Sequence, residues 1–259
     1  MKIPLYQIDA FTDRPFKGNP AAVCPLEEWL PEEMLQAIAE ENNLAETAFY
    51  VLEEAGYRIR WFTPVKEVDL CGHATLAAAR VLLDHGCSDK SAVEFQSNSG
   101  PLRVLREQER LTLDFPSVPA SPCEVPVALE DGLGVSPEAC LSAADYLVVL
   151  SSAEAVAGLD PDFRRLKDLD LRGVIVTGPG ESEDFVSRFF APNFGIDEDP
   201  VTGSAHCTLA PYWADRLGKK DLSAKQISKR TGNLWCRVAG DRVFISGHTA
   251  AYLQGMIQI

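Results

Sequence analysis

Hydrophobic and polar positions along the chain form many short runs of near-alternation, interrupted by a few stretches with helical spacing. Ile3 to Ile8 alternates weakly and predicts a strand running into Asp9-Ala10-Phe11. Pro15-Phe16-Lys17-Gly18-Asn19-Pro20 is dense in turn formers and predicts a loop. A helix is expected from Pro31, with Glu32 and Glu33 in its first turn and Leu30, Met34 and Ile38 as its apolar stripe. Asn42 and Asn43 should end it. Thr47 to Leu52 and Tyr57 to Phe62 predict two strands, joined by a turn in which Gly56 uses its freedom at positive φ. The run Gly72 to His85 is of another kind, made almost entirely of Ala, Leu and Val. A helix apolar all round is a buried helix, and Gly86 is placed to cap it. Strands resume at Ala92 to Phe95, Leu102 to Arg106 and Leu111 to Phe115, after which Pro116, Pro119, Pro122 and Pro126 mark a boundary.

The second half repeats the plan. Tyr146 to Leu150 and Val174 to Thr177 predict strands, with a helix between them around Ser152 to Lys167. Phe185 to Phe190 predicts a strand, Gly203 to Leu217 a second apolar helix, and Leu234 to Val238 with Val243 to Ile245 a hairpin. Pro211 should kink that helix, because it removes one backbone hydrogen bond. The residues themselves echo. Arg60-Trp61-Phe62-Thr63-Pro64 returns as Arg188-Phe189-Phe190-Ala191-Pro192, 128 residues on, and His73-Ala74-Thr75-Leu76-Ala77 returns as His206-Cys207-Thr208-Leu209-Ala210, 133 residues on. The second copy is longer by five residues, and the extra length falls at Gly195 to Pro200. Ser99-Gly100-Pro101-Leu102 is likewise answered by Thr231-Gly232-Asn233-Leu234. The repeat predicts two similar halves, residues 1–116 and 117–247, with a ligand site at their seam. Many short strands around one buried helix per half predict an α+β protein with curved sheets, not an alternating βαβ fold.

Composition narrows the partners. With 46% hydrophobic and 24% charged residues, the 259-residue chain is that of an ordinary globular protein. A net charge of −14 without basic runs argues against nucleic acid or an anionic membrane as partner. Asp9 and Asp13 interrupt the N-terminus before an apolar core of signal-peptide length can form, and no window approaches a membrane span. Seven scattered cysteines do not suggest a disulfide framework, so a reduced, cytoplasmic protein is expected.

Both apolar helices begin in glycine-containing polar turns, Asp69-Leu70-Cys71-Gly72-His73 and Asp199-Pro200-Val201-Thr202-Gly203-Ser204. Free N–H groups and the helix dipole make such ends anion sites. Gly72, His73, Gly203 and Ser204 are therefore candidate contacts for a small carboxylate, although ordinary capping would look the same. His73 at a helix start should be held neutral by the dipole and could relay a proton, and His206 is its repeat-mate. Asp199 falls in the part of the second copy that the first lacks, where asymmetric function could be built; the alternative is a solvated turn. Glu46 lies among apolar residues where a strand begins, a setting that suits either proton shuttling or a plain surface position. Cys71 and Cys207 adjoin the two histidines, but their spacing differs from zinc motifs, and no metal is expected. No glycine-rich nucleotide fingerprint is present, so no cofactor is expected.

Taken together, Asp9-Ala10-Phe11-Thr12 with Pro15 to Pro20, Asn43-Leu44-Ala45-Glu46-Thr47, Cys71-Gly72-His73-Ala74-Thr75 and Asp199 to His206 resemble the phenazine-biosynthesis PhzF-like isomerase family. The resemblance runs from Asp9 to about Gly247. It implies the diaminopimelate-epimerase-like fold, two pseudo-symmetric halves each with a β-barrel or roll around a central helix. It also implies a last strand, about His248 to Ile259, that returns to the first half. The activity implied is cofactor-free isomerisation of a small cyclic or unsaturated carboxylate by proton transfer, in a homodimer. On that resemblance Glu46 is the general acid/base, and His73 and Asp199 contact substrate and assist. Related epimerases and racemases use a cysteine at each central helix. Cys71 matches the first, but Asp199-Pro200-Val201-Thr202 stands where the second would be. A cysteine-dependent epimerase and a non-catalytic carboxylate-binding protein are the alternatives.

Overall fold

The computed structural model describes residues 1–86 and 90–259. The chain divides into two compact units, Met1–Asp114 with Ser246–Ile259, and Phe115–Ile245. In the first unit the strands are β1 (Lys2–Ala10), β2 (Asn19–Leu26), β3 (Glu46–Glu53), β4 (Gly56–Phe62), β5 (Glu67–Val68), β6 (Ala92–Ser97), β7 (Gly100–Glu107) and β8 (Arg110–Pro116). Its helices are α1 (Glu32–Asn42) and α2 (Gly72–His85). Thr249–Gln258, the last strand of the chain, pairs antiparallel with β1 over its whole length. From there the ladder runs β1 to β2 antiparallel, β2 to β3 parallel, β3 to β4 antiparallel, β4 to β6 parallel, then antiparallel through β7 and β8.

Helix α2 packs against β1, β2, β3 and the last strand. Its whole circumference is buried from His73 to Leu83 except Arg80, which answers the all-round apolar sequence. Leu76 and Leu83 are fully buried, and trimming either to alanine would cost about 2–5 kcal/mol. Helix α1 builds a second cluster with Ile3, Cys24, Phe49 and Phe62. Its buried face centres on Leu35, Ile38 and Ala39, while Met34 and Leu30 lie at the margin of the expected stripe. Helices on both faces explain why Glu46 to Val51 of β3 is buried without alternation. Asn43 ends α1 in the left-handed conformation, and Gly56 takes φ +114° between β3 and β4.

The loop expected at Pro15 to Pro20 is shorter than the sequence suggested, because β2 begins at Asn19. Its prolines are second and seventh of eight residues, so Ala21 to Cys24 keep their N–H groups for the ladder.

The second unit uses the same sequence of pairings. Its strands are β9 (Ser121–Pro122), β10 (Ala139–Ser142), β11 (Tyr146–Val149), β12 (Val174–Pro179), β13 (Phe185–Phe190), β14 (Asp221–Gln226), β15 (Gly232–Ala239) and β16 (Arg242–Gly247). β11 lies parallel to β12, β12 antiparallel to β13, β13 parallel to β14 and β14 antiparallel to β15, as β2, β3, β4, β6 and β7 do in the first unit. The helix expected from Ser152 to Lys167 is two short pieces. After α3 (Val127–Leu133) come α4 (Ala153–Ala157) and α5 (Phe163–Leu166), separated by Gly158-Leu159-Asp160-Pro161, which cannot continue a helix cheaply. The central helix α6 (Gly203–Leu217) runs through Pro211. The carbonyl that Pro211 cannot serve, Cys207 O, accepts the Val118 N–H at 3.0 Å instead. Even the surface of the repeat is shared. Arg60 pairs with Glu67 and lies 5.1 Å from the Phe62 ring centre, and Arg188 pairs with Glu198 and lies 4.9 Å from that of Phe190. Among the described residues, no helix is long and apolar enough to cross a membrane.

Candidate active site

The candidate residues fall into two groups, one per unit. The first gathers at the start of α2. Glu46 opens β3 and is only 9% exposed, and His73 is the second residue of α2 at 5%. Neighbouring β3 residues alternate faces, and Glu46 lies on the face that meets α2. Its Oε2 is 3.0 Å from His73 Nε2. The approach misses hydrogen-bond geometry, and among the described residues neither atom has a hydrogen-bond partner. We read the contact from its distance, as charge against charge, with both atoms left able to bond a third group.

On the other edge of the ring, Asn19 Nδ2 is 3.2 Å and Cys71 Sγ 3.5 Å from His73 Nδ1. Burial works against a charged His73, but Cys71 and Glu46 outweigh it and raise the imidazole well above its usual 6.5. Burial pushes the Cys71 thiol itself up to about 11, so it is uncharged near neutrality. Glu46 is therefore the charge that matters. The neutral His73 expected from the helix dipole is thus corrected: a carboxylate at 3.0 Å outweighs the partial charge of a helix end. The first turn of α2 carries no capping side-chain hydrogen bond, and its N-cap residue is Cys71.

Asn19 was not singled out by sequence reasoning, which saw only a loop there. The signal was its place after Gly18, which takes φ +63°. A Cβ at Gly18 would lie 2.1 Å from Ala10 O, so only glycine lets the chain turn directly into β2 and deliver Asn19. The preceding loop also holds Phe11 at φ +64° and Phe16 at +73°, and Asp9, 1% exposed, accepts the Phe16 N–H at 2.9 Å. Strained backbone of this sort gathers at functional sites.

Glu46, Cys71 and His73 offer ligand atoms within 4.8 Å of one another. Sulfur and carboxylate flank different ring nitrogens, however, and the sulfur is a thiol. The set suits a proton relay better than one shared ion.

The second group lies at the start of α6. Asp199 is buried, which corrects the solvated-turn alternative, whereas Asp197 is exposed and Glu198 is bound to Arg188. The Asp199 carboxylate accepts the Thr202 hydroxyl. Gln226, at the end of β14, donates to Asp199 O at 2.7 Å and accepts the Thr202 N–H at 2.8 Å, stitching the turn in place. Ser204 Oγ accepts from Arg172, which is itself held by Asp145. Gly203 is buried and heads the helix, again without a capping side-chain bond. His206 is fully buried with Nδ1 2.8 Å from Thr202 O, and burial lowers it to about 4. Cys207 is pushed up to about 12 by burial.

The sequence profile of the family described as phenazine biosynthesis-like protein (PhzC-PhzF) matches residues 8–255. A Pseudomonas aeruginosa protein named an uncharacterized isomerase is 55% identical over 260 residues, covering all of both chains. A human phenazine biosynthesis-like domain-containing protein is 41% identical over 286 residues, covering 99% of each. The crystal structure of a PhzF-family protein from Enterococcus faecalis superposes with a TM-score of 0.97 at 48% identity, over the whole of both chains. A hydroxyproline epimerase from Agrobacterium vitis, 10% identical with a TM-score of 0.62 over 99% of this chain and 92% of its own, shares the fold alone. With the motif residues, the paired units and these relatives in agreement, the chain belongs to the phenazine biosynthesis-like PhzC-PhzF family of isomerases, on the α+β fold that this family shares with epimerases of the proline-racemase type.

Proposed function

We propose that the protein isomerises a small cyclic or unsaturated carboxylate by moving a proton between two carbons, without a cofactor. The observation that carries the reading is the pair of buried atoms Glu46 Oε2 and His73 Nε2, 3.0 Å apart and both without a hydrogen-bond partner among the described residues, at a helix start with no capping side-chain bond. In this scheme the Glu46 carboxylate takes a proton from an allylic carbon. The electron pair released shifts the double bond and places negative charge on the conjugated carboxylate. His73, charged through Glu46, donates from Nε2 to that developing charge, and N–H groups at Gly72 and His73 hold the substrate anion. Glu46 then returns the proton to the far carbon, so atoms and electrons balance with nothing added. Asp199, Gly203 and Ser204 are proposed to contact substrate, with Asp199 assisting the proton transfer. The thiol pathway of racemases gains nothing from Cys71 and Cys207, which burial holds protonated.

The test is a panel of small unsaturated and cyclic carboxylates incubated with the protein in deuterium oxide and followed by proton NMR. Deuterium should enter a ring or alkene carbon and should not do so with Glu46→Gln. Exchange at the α-carbon of an amino acid that depends on Cys71 would point to a racemase, and binding without exchange to a carrier. A homodimeric, cytoplasmic enzyme of biosynthesis completes the proposal. The exposed apolar residues Tyr252, Leu253 and Met256 of the last strand support the dimer, which light scattering would test.

A further inference from the structure

Far from Glu46 in sequence, two cysteines of the second unit face each other across neighbouring strands. β9 pairs with β10 so that Pro122 opposes Leu141 and Ser121 opposes Ser142. One step along, Cys123 opposes Cys140, and the Cys123 N–H donates to Cys140 O at 3.0 Å. Opposed residues of a hydrogen-bonded antiparallel pair have Cα atoms about 5.5 Å apart, which falls within the roughly 4.4–6.8 Å that a disulfide spans. The two Sγ atoms are already 3.6 Å apart. Cys140 belongs to the core cluster beneath α3 to α5, whereas Cys123 is partly exposed at its margin. An oxidant from solvent can therefore reach one thiol, and the second lies in contact with the first.

We infer that Cys123 and Cys140 form an oxidation site that closes to an intramolecular disulfide on exposure to peroxide. The step balances. Peroxide converts the Cys123 thiol to a sulfenic acid and is reduced to water. The Cys140 sulfur then attacks the Cys123 sulfur, the S–S bond forms, and the hydroxyl leaves as a second water with the Cys140 proton. Closure brings the sulfurs from 3.6 Å to about 2.05 Å, by side-chain rotation together with a small approach of the two strands. The bond would tie the segment that opens the second unit to β10. A loop of this length, cross-linked, predicts a melting temperature raised by about 5 °C. Reduced thiols remain the resting state, so the site responds to oxidant and does not build the fold.

The full-length protein, reduced and then treated with hydrogen peroxide, would be alkylated and analysed by non-reducing peptide mapping and intact mass. The expected result is a Cys123–Cys140 cross-linked peptide, loss of two alkylatable thiols, the melting-temperature rise, and reversal of all three by dithiothreitol. Cys123→Ser should abolish the cross-link and the rise while melting like reduced wild type, and Cys140→Ala, whatever its own melting temperature, should show no cross-link and no rise on peroxide treatment. Retention of both thiols would overturn the inference. So would Cys123 sulfinic acid beside an alkylatable Cys140, or a bridge from either residue to a different cysteine.

Discussion

Replacing Glu46 with glutamine keeps the shape of the side chain and removes its charge from beside His73. The two charged atoms are 3.0 Å apart, which at an effective dielectric of about 20 corresponds to about 5 kcal/mol of attraction. Against that stands the cost of holding an imidazolium out of water, several kcal/mol per ion. The two are close in size, so the carboxylate decides the state of the ring. With it, His73 titrates well above 6.5; without it, Cys71 alone is left to oppose burial and the ring should titrate lower. The sequence has four histidines, so His73 can be followed by ¹H–¹⁵N correlation spectra across a pH series, assigned by a His73→Gln control. Wild type should show a charged ring at pH 7 and Glu46→Gln a neutral one. Turnover on any substrate found should fall by about 10²–10⁴-fold in the variant, the usual loss of a general acid–base. A ring that stays charged at pH 7 in Glu46→Gln would refute the electrostatic argument, and near-native turnover would refute the assignment of the proton carrier.

Cys71→Ser should keep turnover within about tenfold of wild type, because the thiol is protonated and only packs beside Nδ1; a loss as deep as that of Glu46→Gln would restore the thiol pathway. Gly18→Ala should destabilise by more than about 1–2 kcal/mol in urea melts, since alanine resists positive φ and its Cβ would strike Ala10 O; an unchanged midpoint would show that the loop yields. Asn19→Leu should raise the pKa of His73 and cost about 1–3 kcal/mol, because the Asn19 amide nitrogen is a donor that bonds Nδ1 only in the uncharged ring, and an unmoved titration curve would exclude Asn19 as a positioning residue. His206, lowered to about 4, binds a proton more readily in the unfolded chain, where its pKa is about 6.5. Stability should therefore fall as pH drops through that window, by about 2 kcal/mol at pH 5 and about 3 kcal/mol below pH 4. His206→Asn should flatten the dependence, and equal slopes in the two proteins would contradict it.

Much of the architecture could be read from residue pattern alone. The all-round apolar run from Gly72 to His85 marks α2 to the residue, because no other element permits so many buried alanines in succession. The hairpin at Gly56 and the Asn43 cap were legible because each depends on one residue's backbone preference. β2 was hidden by its prolines, whose position within the ladder is a tertiary fact. The break at Gly158 to Pro161 lay in plain sight but was outweighed by helical spacing on either side. At the site, residue types and motif order indicated Glu46 and His73. Their 3.0 Å approach, and the reversal of the expected charge state of His73, depend on how β3 passes the start of α2. No local pattern carries that distance.

The repeat itself shows how a duplicated motif can serve two electrostatic ends. His73 and His206 occupy the same place in the echo His-x-Thr-Leu-Ala, yet His73 is raised and His206 lowered to about 4. The cause is where each helix begins. α2 starts one residue before its histidine and α6 starts three before, so the longer second copy adds about half a turn of helix ahead of His206. That shift gives His206 the carbonyl of Thr202, four residues back, as partner for Nδ1 and buries the ring against Phe185, with no carboxylate among the described residues shifting it. His73, at the second position, has no turn behind it and instead meets side chains from other strands, Asn19 from β2 and Glu46 from β3. The added residues also carry Asp199 and the turn that Gln226 holds, so the acid of the second unit comes with the helix extension that silences its histidine. Shortening that turn so that α6 begins at Ala205 should free Nδ1 from Thr202 O, the one partner that favours a charged ring, and push the titration of His206 still further below 6.5 while the ring stays buried; NMR would register the change whatever the substrate proves to be, and a rise toward 6.5 would refute the assignment to burial.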